Sequence, residues 1–323
     1  MVITRTPFRM SFAGGGTDMP GFYRADEGAV TGTAINKYMY LIVNKRFDRT
    51  IRVSYSRTEI VNTVHEIQHP IVREAMKLTG VTEQVEIVSI ADIPAQTGLG
   101  SSSSFTVGLL NALYAYRGVL RSAEELAREA CTLELDVLGE PIGKQDQYLA
   151  AYGNLRHIRF HPNDAVSVEY VLMPAERREA FQERLLLMYM GRTEAASTVL
   201  SDQQSRTEQN RTALRAMRAL AVQCRDALVG GRLDDVGDLL HEGWEMKKRL
   251  ADGISDETID GWYEAARKLG ARGGKVLGAG GRGFLLLYCP PEHRKRVLAG
   301  LPQLVHTPFA FEPDGTRVIY VGV

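Results

Sequence analysis

The feature that most constrains this chain is a glycine- and serine-rich stretch, PAQTGLGSSSSF, at residues 94–105. Gly and Ser are typical of slack linkers, but this stretch stands between two regular segments. The run VEIVSIADIP before it predicts a strand, and FTVGLLNALYAYRG after it has the apolar spacing of a helix that stops at Gly118. A glycine turn between a strand and a helix brings backbone N–H groups and a helix N-terminus together, which favours an anion site.

The same stretch has a simpler interpretation, a helix capped by one serine after a glycine turn. Capping needs one Gly and one Ser, whereas four consecutive serines supply more hydroxyls than a cap uses, enough to bind phosphate or Mg²⁺. We therefore predict a phosphate-binding loop, with the helix beginning where the serine run ends. The predicted residues of this loop are Gly98, Leu99, Gly100, Ser101, Ser102, Ser103 and Ser104.

Two better-known phosphate loops do not fit the sequence. The pattern GxxxxGK[ST] is absent, because Lys144 is followed by Gln145 and Lys275 by Val276. Residues 278–283, GAGGRG, satisfy the dinucleotide pattern GxGxxG, but they lead into the strand FLLLYC instead of opening a helix. A hydride-transferring enzyme is therefore disfavoured.

Two further glycine-rich segments lie towards the chain ends. PFRMSFAGGGTD, residues 7–18, ends in Thr17 and Asp18, a hydroxyl and a carboxylate of the kind that hold sugar hydroxyls. Taken alone, it is more typical of a strand that ends in a capped turn. Residues 278–283 are as compatible with a glycine hairpin as with a loop packed against a ligand.

Composition points to a small substrate. Lysine and arginine together number 39, as do aspartate and glutamate, so no net field attracts nucleic acid or a membrane surface. No apolar run approaches the roughly 20 residues of a membrane span, and the N-terminus lacks a signal-peptide pattern. The cysteines form no CxxC pair, which argues against zinc or disulfides. We expect a soluble cytoplasmic protein.

The order of predicted elements indicates an α+β chain of two domains. Strands dominate the first third, and Ser122 with Glu125 forms the capping-box pattern of a second helix. The second half predicts helices at about 205–229, 233–251 and 256–269, followed by strand FLLLYC. We place the domain boundary near residue 180.

Three charged residues complete a possible phosphoryl-transfer set. Glu134 falls in the otherwise apolar row of the second helix, where a carboxylate is costly unless it is paired or binds a metal; a boundary glutamate reaching solvent is the alternative. Asp146 follows Gly143 in a loop, where an aspartate is ordinarily a turn former. Together with Arg9 as a cation, these acids supply the groups that phosphoryl transfer needs around the phosphate loop.

The three glycine segments PFRMSFAGGGTD, PAQTGLGSSSS and KVLGAGGRGFLLL resemble, in order and spacing, the three motifs of the GHMP small-molecule kinases. The resemblance covers essentially the whole chain. AGGGTD, HPIVREAMK and GARGGKVLGAGGRGF are further similar to the D-glycero-D-manno-heptose 7-phosphate kinases, which phosphorylate an anomeric hydroxyl. Fucokinase-type enzymes share much of this pattern.

This resemblance implies a ribosomal-S5-like N-terminal ATP-binding domain, residues 1–180, and a ferredoxin-like C-terminal domain, residues 181–323, with the site in the cleft. It implies that the loop at 98–104 cradles the phosphates of ATP. It implies Mg²⁺ held by Ser102 and Glu134, and catalytic roles for Asp146, which orients and deprotonates the attacking hydroxyl, and Arg9. The substrate-binding residues that it implies are Gly15, Gly16, Thr17, Asp18, Gly278, Gly280 and Gly281.

Some questions stay open at this level. Arg282 stands where many members of the family have another glycine, so the third loop could instead offer a cation to a phosphate, such as that of the substrate. Ser104 replaces the alanine common in such loops, which leaves more than one candidate for the metal-binding hydroxyl. The basic residues near the motifs that are candidates for binding a sugar phosphate are Lys144, Arg192, Arg272 and Lys275. The expected substrates are a sugar phosphate and ATP, with a kinase of an unphosphorylated sugar and a non-catalytic sugar sensor as alternatives. A homodimer is compatible with the sequence.

Overall fold

A computed structural model describes residues 1–191 and 197–322 of the chain. Over these residues the strands form one eight-stranded and one four-stranded sheet. The strands of the larger sheet are β1 Val2–Ala13, β2 Gly28–Lys45, β3 Ile51–Ser54, β4 Thr58–Val61, β5 Val85–Ala91, β6 Leu155–Phe160, β7 Val166–Tyr170 and β12 Arg317–Val321. Those of the smaller sheet are β8 Leu185–Tyr189, β9 Gly273–Val276, β10 Phe284–Tyr288 and β11 Val305–His306.

The helices divide between the two sheets. Those before β8 are α1 Pro20–Tyr23, α2 Pro70–Thr79, α3 Ser101–Tyr116, α4 Ala123–Cys131, α5 Gln145–Tyr152 and α6 Ala175–Glu183. Those after β8 are α7 Ser197–Ser205, α8 Arg211–Gly230, α9 Leu233–Lys247, α10 Glu257–Lys268 and α11 Pro291–Gly300. A short 3₁₀ turn, Val64–Glu66, precedes α2, and a π-helical turn, Thr132–Val137, continues α4.

The larger sheet runs in the order β12-β1-β2-β5-β3-β4, with β6 also paired to β2 and β7 to β6. Its pairs are antiparallel except β3 with β5. Helix α3 packs on β1 and β2 and is flanked by α2, α4 and α5. Its buried residues run without a break from Ser103 to Tyr114, because both sides of the helix are covered.

The smaller sheet is antiparallel in the order β11-β8-β10-β9. Helices α7 to α10 connect β8 to β9, and α11 connects β10 to β11. This β-α-β-β-α-β arrangement is ferredoxin-like, as the resemblance implied.

The last strand returns to the larger sheet. Residues of β12 pair with β1, beginning with Val2 opposite Val321. The predicted C-terminal domain, residues 181–323, therefore includes a strand, β12, that is hydrogen-bonded to the larger sheet. The boundary near residue 180 itself stays a prediction.

Several local predictions hold and several need correction. Ser122 and Glu125 form the predicted capping box, and the GAGGRG loop leads into β10 as expected. Helix α3 begins at Ser101, not after the serine run, because Gly100, in the left-handed conformation, is the residue that precedes its first turn. Helix α6 and strand β4 were not predicted.

Candidate active site

Residues from both halves of the chain line a cavity. The first half of the chain contributes the middle of β1, the GGGTD loop and the segment that leads into α5. The second half contributes α7, the end of α9, β9 and the GAGGRG loop. The residues that line it are Arg9, Ser11, Gly15, Gly16, Asp18, Met19, Ile142, Gly143, Gln145, Asp146, Leu200, Gln203, Lys247, Lys275, Gly278 and Ala279.

A charged pair, Arg9 and Asp146, lies at this cavity. Asp146 is in the first turn of α5, where the sequence predicted a loop. The Arg9 guanidinium donates from Nε and Nη2 to the two Asp146 oxygens, each at 2.6 Å, and from Nη1 to the Gly98 oxygen at 2.7 Å. The Arg9 side chain is 5% exposed and that of Asp146 is 22% exposed. A bidentate pair of this kind fixes the carboxylate beside the glycine loop while leaving it open to the cavity.

The predicted phosphate loop adopts a conformation that needs glycine. Gly98 and Gly100 have φ of 80° and 74°, in the left-handed region. A Cβ on Gly98 would lie 2.5 Å from the Leu277 oxygen, and a Cβ on Gly278 would lie 2.5 Å from Gly98 Cα. The second and third glycine segments are thus in direct backbone contact, and Gly100 directly precedes α3.

The four serines of the loop face different surroundings. Ser102 is exposed and Ser101 is half-buried, whereas Ser103 and Ser104 are buried. Ser104 Oγ donates to the Pro7 oxygen at 2.8 Å, so this hydroxyl ties α3 to β1. Leu99 is also buried, and its backbone oxygen accepts from Arg9 N at 3.1 Å. The Ser104 hydroxyl is therefore structural, which corrects its inclusion among the phosphate ligands, whereas a role for the Leu99 backbone in the phosphate loop stays a prediction.

Glu134 lies in the π-helical turn and is 1% exposed. Its Oε1 accepts from Ser102 Oγ at 3.2 Å and from Thr106 Oγ1 at 2.9 Å. Its Oε2 accepts from Ser103 Oγ at 2.9 Å and from Gln147 Nε2 at 2.5 Å. Burial raises the pKa of Glu134 to about 7, although these hydrogen bonds oppose the shift.

The donor set around Glu134 suits magnesium. Within residues 1–191 and 197–322, no group of three or more His, Cys, Asp or Glu side chains is placed to bind a metal. Mg²⁺ is typically held by one or two carboxylates together with substrate phosphates and water. Glu134 with the exposed Ser102 hydroxyl therefore fits this ion, provided that a phosphate lies above the first turn of α3.

The GGGTD loop separates two neighbouring residues with different roles. Asp18 lines the cavity, and its carboxylate accepts from Gly16 N at 2.9 Å and Gln145 N at 3.2 Å. Burial and the nearby Asp146 raise its pKa. Thr17 is fully buried, and its hydroxyl donates to the Gly14 and Ala29 oxygens. Thr17 therefore stabilises the loop and does not present its hydroxyl to a sugar, which corrects the prediction for this residue.

The glycines of the third segment also differ in position. Gly278 lines the cavity, whereas Gly280 and Gly281 pack on the turn before α10. Gly281 N donates to the Ile254 oxygen at 2.7 Å, and a Cβ on Gly280 would lie 2.7 Å from that same oxygen. Gly280 and Gly281 therefore shape the loop from behind, and their part in substrate binding stays a prediction.

Two of the basic residues predicted as candidates for binding a sugar phosphate, Lys144 and Arg272, are not among the residues that line the cavity. Lys144 pairs with Asp164 at 3.0 Å. Arg272 forms a bidentate pair with Asp238, at 2.8 Å and 2.7 Å. Arg192 is outside the described residues. Of the nominated residues that the structure describes, Lys275 lines the cavity.

Sequence reasoning missed several lining residues, of which Lys247 is the most notable. It continues the buried row Val236, Leu240 and Trp244 of α9. A lysine in an apolar row was a usable signal, as it was for Glu134. Ser11, Gln145 and Gln203 gave no comparable signal.

Comparisons with known proteins identify the family. The sequence model of the family's N-terminal domain, described as GHMP kinases N terminal domain, matches residues 58–154. The model described as GHMP kinases C terminal matches residues 224–306, and the two matches together cover more than half of the chain. The chain belongs to the GHMP kinase family. It is therefore a phosphotransferase with a hydroxyl group as acceptor, and its two-part α+β fold is that of the family.

Individual relatives of this GHMP kinase are distant. A D-glycero-alpha-D-manno-heptose 7-phosphate kinase from Campylobacter jejuni is 25% identical over 97% of each chain. A bifunctional fucokinase/GDP-fucose pyrophosphorylase from Arabidopsis thaliana is 25% identical over 90% of this chain and 30% of its own. The crystal structure of a D-glycero-D-manno-heptose 1-phosphate kinase from Bacteroides thetaiotaomicron superposes with a TM-score of 0.84, at 24% identity and full coverage of both chains. That likeness shows the fold.

The structure also bears on membranes. No helix in the part of the chain that it describes combines the length and the apolar character that a membrane span requires.

Proposed function

We propose that this GHMP kinase transfers the γ-phosphate of ATP to the anomeric hydroxyl of D-glycero-D-manno-heptose 7-phosphate and gives the 1,7-bisphosphate. The observation that carries the transfer is the Arg9–Asp146 pair, which sets a carboxylate at the cavity beside the glycine loop. The Campylobacter jejuni relative supports the choice of sugar. Such a product would serve the cytoplasmic synthesis of nucleotide-activated heptose for lipopolysaccharide or capsule.

The roles of the chain's own residues follow from their positions. The first N–H groups of α3 have no partner within the helix, so together with the helix dipole they favour the phosphates of ATP at Ser101 and Ser102. Asp146 orients the sugar hydroxyl and accepts its proton as the phosphoryl group leaves ATP. Arg9 keeps Asp146 in place and adds positive charge where the transferred group passes. Asp18 accepts hydrogen bonds from sugar hydroxyls.

Magnesium fits the hydroxyl of Ser102 and the carboxylate of Glu134. When bound, Mg²⁺ neutralises part of the charge on the transferring phosphates. Hydrogen bonds from Thr106, Ser103 and Gln147 fix the position of the Glu134 carboxylate beside Ser102. ATP and Mg²⁺ are thus part of the proposal.

A second candidate is a kinase of an unphosphorylated sugar. The Arabidopsis thaliana fucokinase, similar over 90% of this chain, favours it. A non-catalytic sugar sensor is disfavoured, because Asp146 lies at the cavity and the Ser102–Glu134 contact is formed.

The deciding experiment is a phosphorylation screen with ATP and Mg²⁺ across heptose 7-phosphate, unphosphorylated heptose, mannose, fucose and galactose. NMR of the product identifies the phosphorylated hydroxyl. We expect the highest kcat/KM for heptose 7-phosphate, with phosphate added at the anomeric position. A higher value for fucose or galactose would establish the second candidate, and absence of sugar-dependent ATP turnover would favour the sensor.

A further inference from the structure

Two lysines from the second half of the chain line the same cavity as Asp146. Lys247 ends α9 and Lys275 lies in β9, and they are 7% and 6% exposed. The Lys247 ammonium donates to the backbone oxygens of Val276 at 3.0 Å and Gly278 at 2.5 Å. Among the described residues, the Lys275 ammonium has only a 3.4 Å contact, with the Phe12 oxygen. Since an ammonium carries three N–H donors, both lysines have hydrogen-bonding capacity left for a ligand.

Neither lysine has a carboxylate in direct contact. Neither ammonium forms an ion pair with an acid of residues 1–191 or 197–322, and the nearby Asp146 is already paired with Arg9. Burial lowers the pKa of Lys275 to about 8, and burial with Lys275 and Arg9 lowers the pKa of Lys247 well below its ordinary value. Asp18 opposes both shifts less than Arg9 favours them, and burial raises the pKa of Asp18 itself. Two interacting buried ammonium groups are costly unless an anion joins them.

The next residue in the sequence shows the ordinary arrangement. Lys248 pairs with Glu245 at 2.8 Å and with Asp260 at 3.5 Å. Lys144 and Arg272 likewise have carboxylate partners away from the two lysines. The cavity lysines differ from these residues in burial, in lacking an acid partner and in facing a space that a ligand enters.

We propose that Lys247 and Lys275 form an anion-binding subsite that holds the phosphate group of a phosphorylated sugar while Asp146 acts on its hydroxyl. This inference deepens the proposed function and rests on it for the phosphorylated sugar. A phosphate dianion accepts hydrogen bonds from both ammonium groups and supplies the charge that they lack. Lys247 has a second role, since its contacts with Val276 and Gly278 fix the end of β9 and the start of the GAGGRG loop to α9.

The first test measures binding without turnover. A non-hydrolysable ATP analogue with Mg²⁺ occupies the phosphate loop, and heptose 7-phosphate and unphosphorylated heptose are then titrated by calorimetry. The wild-type protein should bind the phosphorylated sugar about ten- to a hundredfold more tightly, the range for charge-assisted hydrogen bonds. Lys275→Met and Lys247→Met should each lose most of that preference, and the matched control Lys248→Met should keep it.

Lys275→Met is expected to fold, because methionine removes a buried charge and retains the length of the side chain. Lys247→Met provides the second variant, and circular dichroism with a melting curve checks both. Affinity for the ATP analogue should change less than about threefold in either variant, well below the effect of losing a charged contact.

The outcomes separate the subsite from the proposed function. Tight, lysine-dependent binding of heptose 7-phosphate without its phosphorylation would support the subsite and contradict the proposed function. Phosphorylation with equal affinity for both sugars, or with a preference that survives in the folded lysine variants, would overturn the subsite alone. Weaker binding of the ATP analogue by the lysine variants, with an unchanged preference for the phosphorylated sugar, would also overturn the subsite, because the lysines would then bind the nucleotide.

Discussion

Asp146 and Glu134 are two carboxylates placed close to the phosphate loop in opposite ways. Asp146 is partly exposed at the cavity and is paired with a guanidinium at 2.6 Å. Glu134 is buried below the first turn of α3 and accepts hydrogen bonds from neutral hydroxyls and an amide. The first carboxylate already has its cation, whereas the second has none in direct contact among the described residues.

This difference assigns different chemistry to the two acids. A carboxylate that is fixed by arginine and open to a cavity can receive a proton from a ligand. A buried carboxylate surrounded by neutral donors pays a desolvation cost that a bound cation would offset. The proposals of a general base at Asp146 and a metal ligand at Glu134 both rest on this contrast.

The largest expected effect is that of Asp146→Asn. Asparagine keeps the shape but cannot accept the proton, so kcat should fall at least about a hundredfold, as for loss of a general base. KM for ATP should stay within a few-fold in steady-state assays. Asp238→Asn is the matched control, because Asp238 forms an equivalent bidentate pair with Arg272 outside the cavity. Near-normal turnover of Asp146→Asn would contradict the proposed role of Asp146 as general base, and with it the contrast with Glu134.

Glu134→Gln should have a smaller kinetic effect together with a gain in stability. Loss of a carboxylate ligand should raise the Mg²⁺ concentration for half-maximal activity about 10- to 100-fold, the range known for perturbed metal sites. The unpaired Gln147 Oε1 can accept from the new amide if the Gln147 side chain turns over. Glu129→Gln, which changes a carboxylate bound to Tyr114, serves as control.

The stability of Glu134→Gln should depend on pH. The folded pKa of Glu134, about 7, is above its unfolded value, so the charged form destabilises the native protein. That destabilisation is fully present above about pH 7 and is absent below the unfolded pKa of about 4.3. Glu134→Gln should therefore raise the melting temperature by more at about pH 8 than at about pH 5. A gain that is equal at both pH values would contradict a buried, charged Glu134.

The smallest kinetic effects should come from the serines and should differ between them. Ser102→Ala removes the exposed hydroxyl beside Glu134, so the Mg²⁺ requirement should rise several-fold with little change in stability. Ser104→Ala should leave kinetics unchanged and lower the free energy of unfolding by about 1 kcal/mol, the typical value of a buried hydrogen bond. Urea unfolding and Mg²⁺ titration measure the two effects. The reverse pattern would place the metal-binding hydroxyl at Ser104.

Much of the fold could be predicted from local patterns. The capping box at Ser122, the helix after the glycine–serine stretch and strand β10 depend on short-range spacing, and the structure confirms them. The return of β12 to β1 could not be predicted, because no local pattern specifies which strand a distant segment pairs with. The predicted start of α3 was wrong by about one turn, because the sequence pattern did not show which residue of the glycine–serine stretch begins the helix.

Some residues of the candidate site could be predicted and others could not, because these predictions also depend on local sequence patterns. Arg9, Asp146 and Asp18 could be nominated because their charged side chains lie near glycines, and Glu134 because it falls in an apolar helical row. Lys247 was missed, although its place in a buried row was visible in the sequence. The catalytic and binding roles of all these residues stay predictions until the variants above are measured.

The sequence by itself determined the three glycine segments, the residue types around them and hence the family of the chain, because backbone conformations such as those at Gly98 and Gly100 require glycine locally. Tertiary structure alone decided which side chains reach the cavity. It left the Ser102 side chain exposed, bound the hydroxyls of Ser104 and Thr17 to backbone oxygens, and brought Lys247 and Lys275 to the same cavity as Asp146. Adjacent residues share a sequence pattern, but the direction of each side chain is set by the packing of elements that are far apart in the chain.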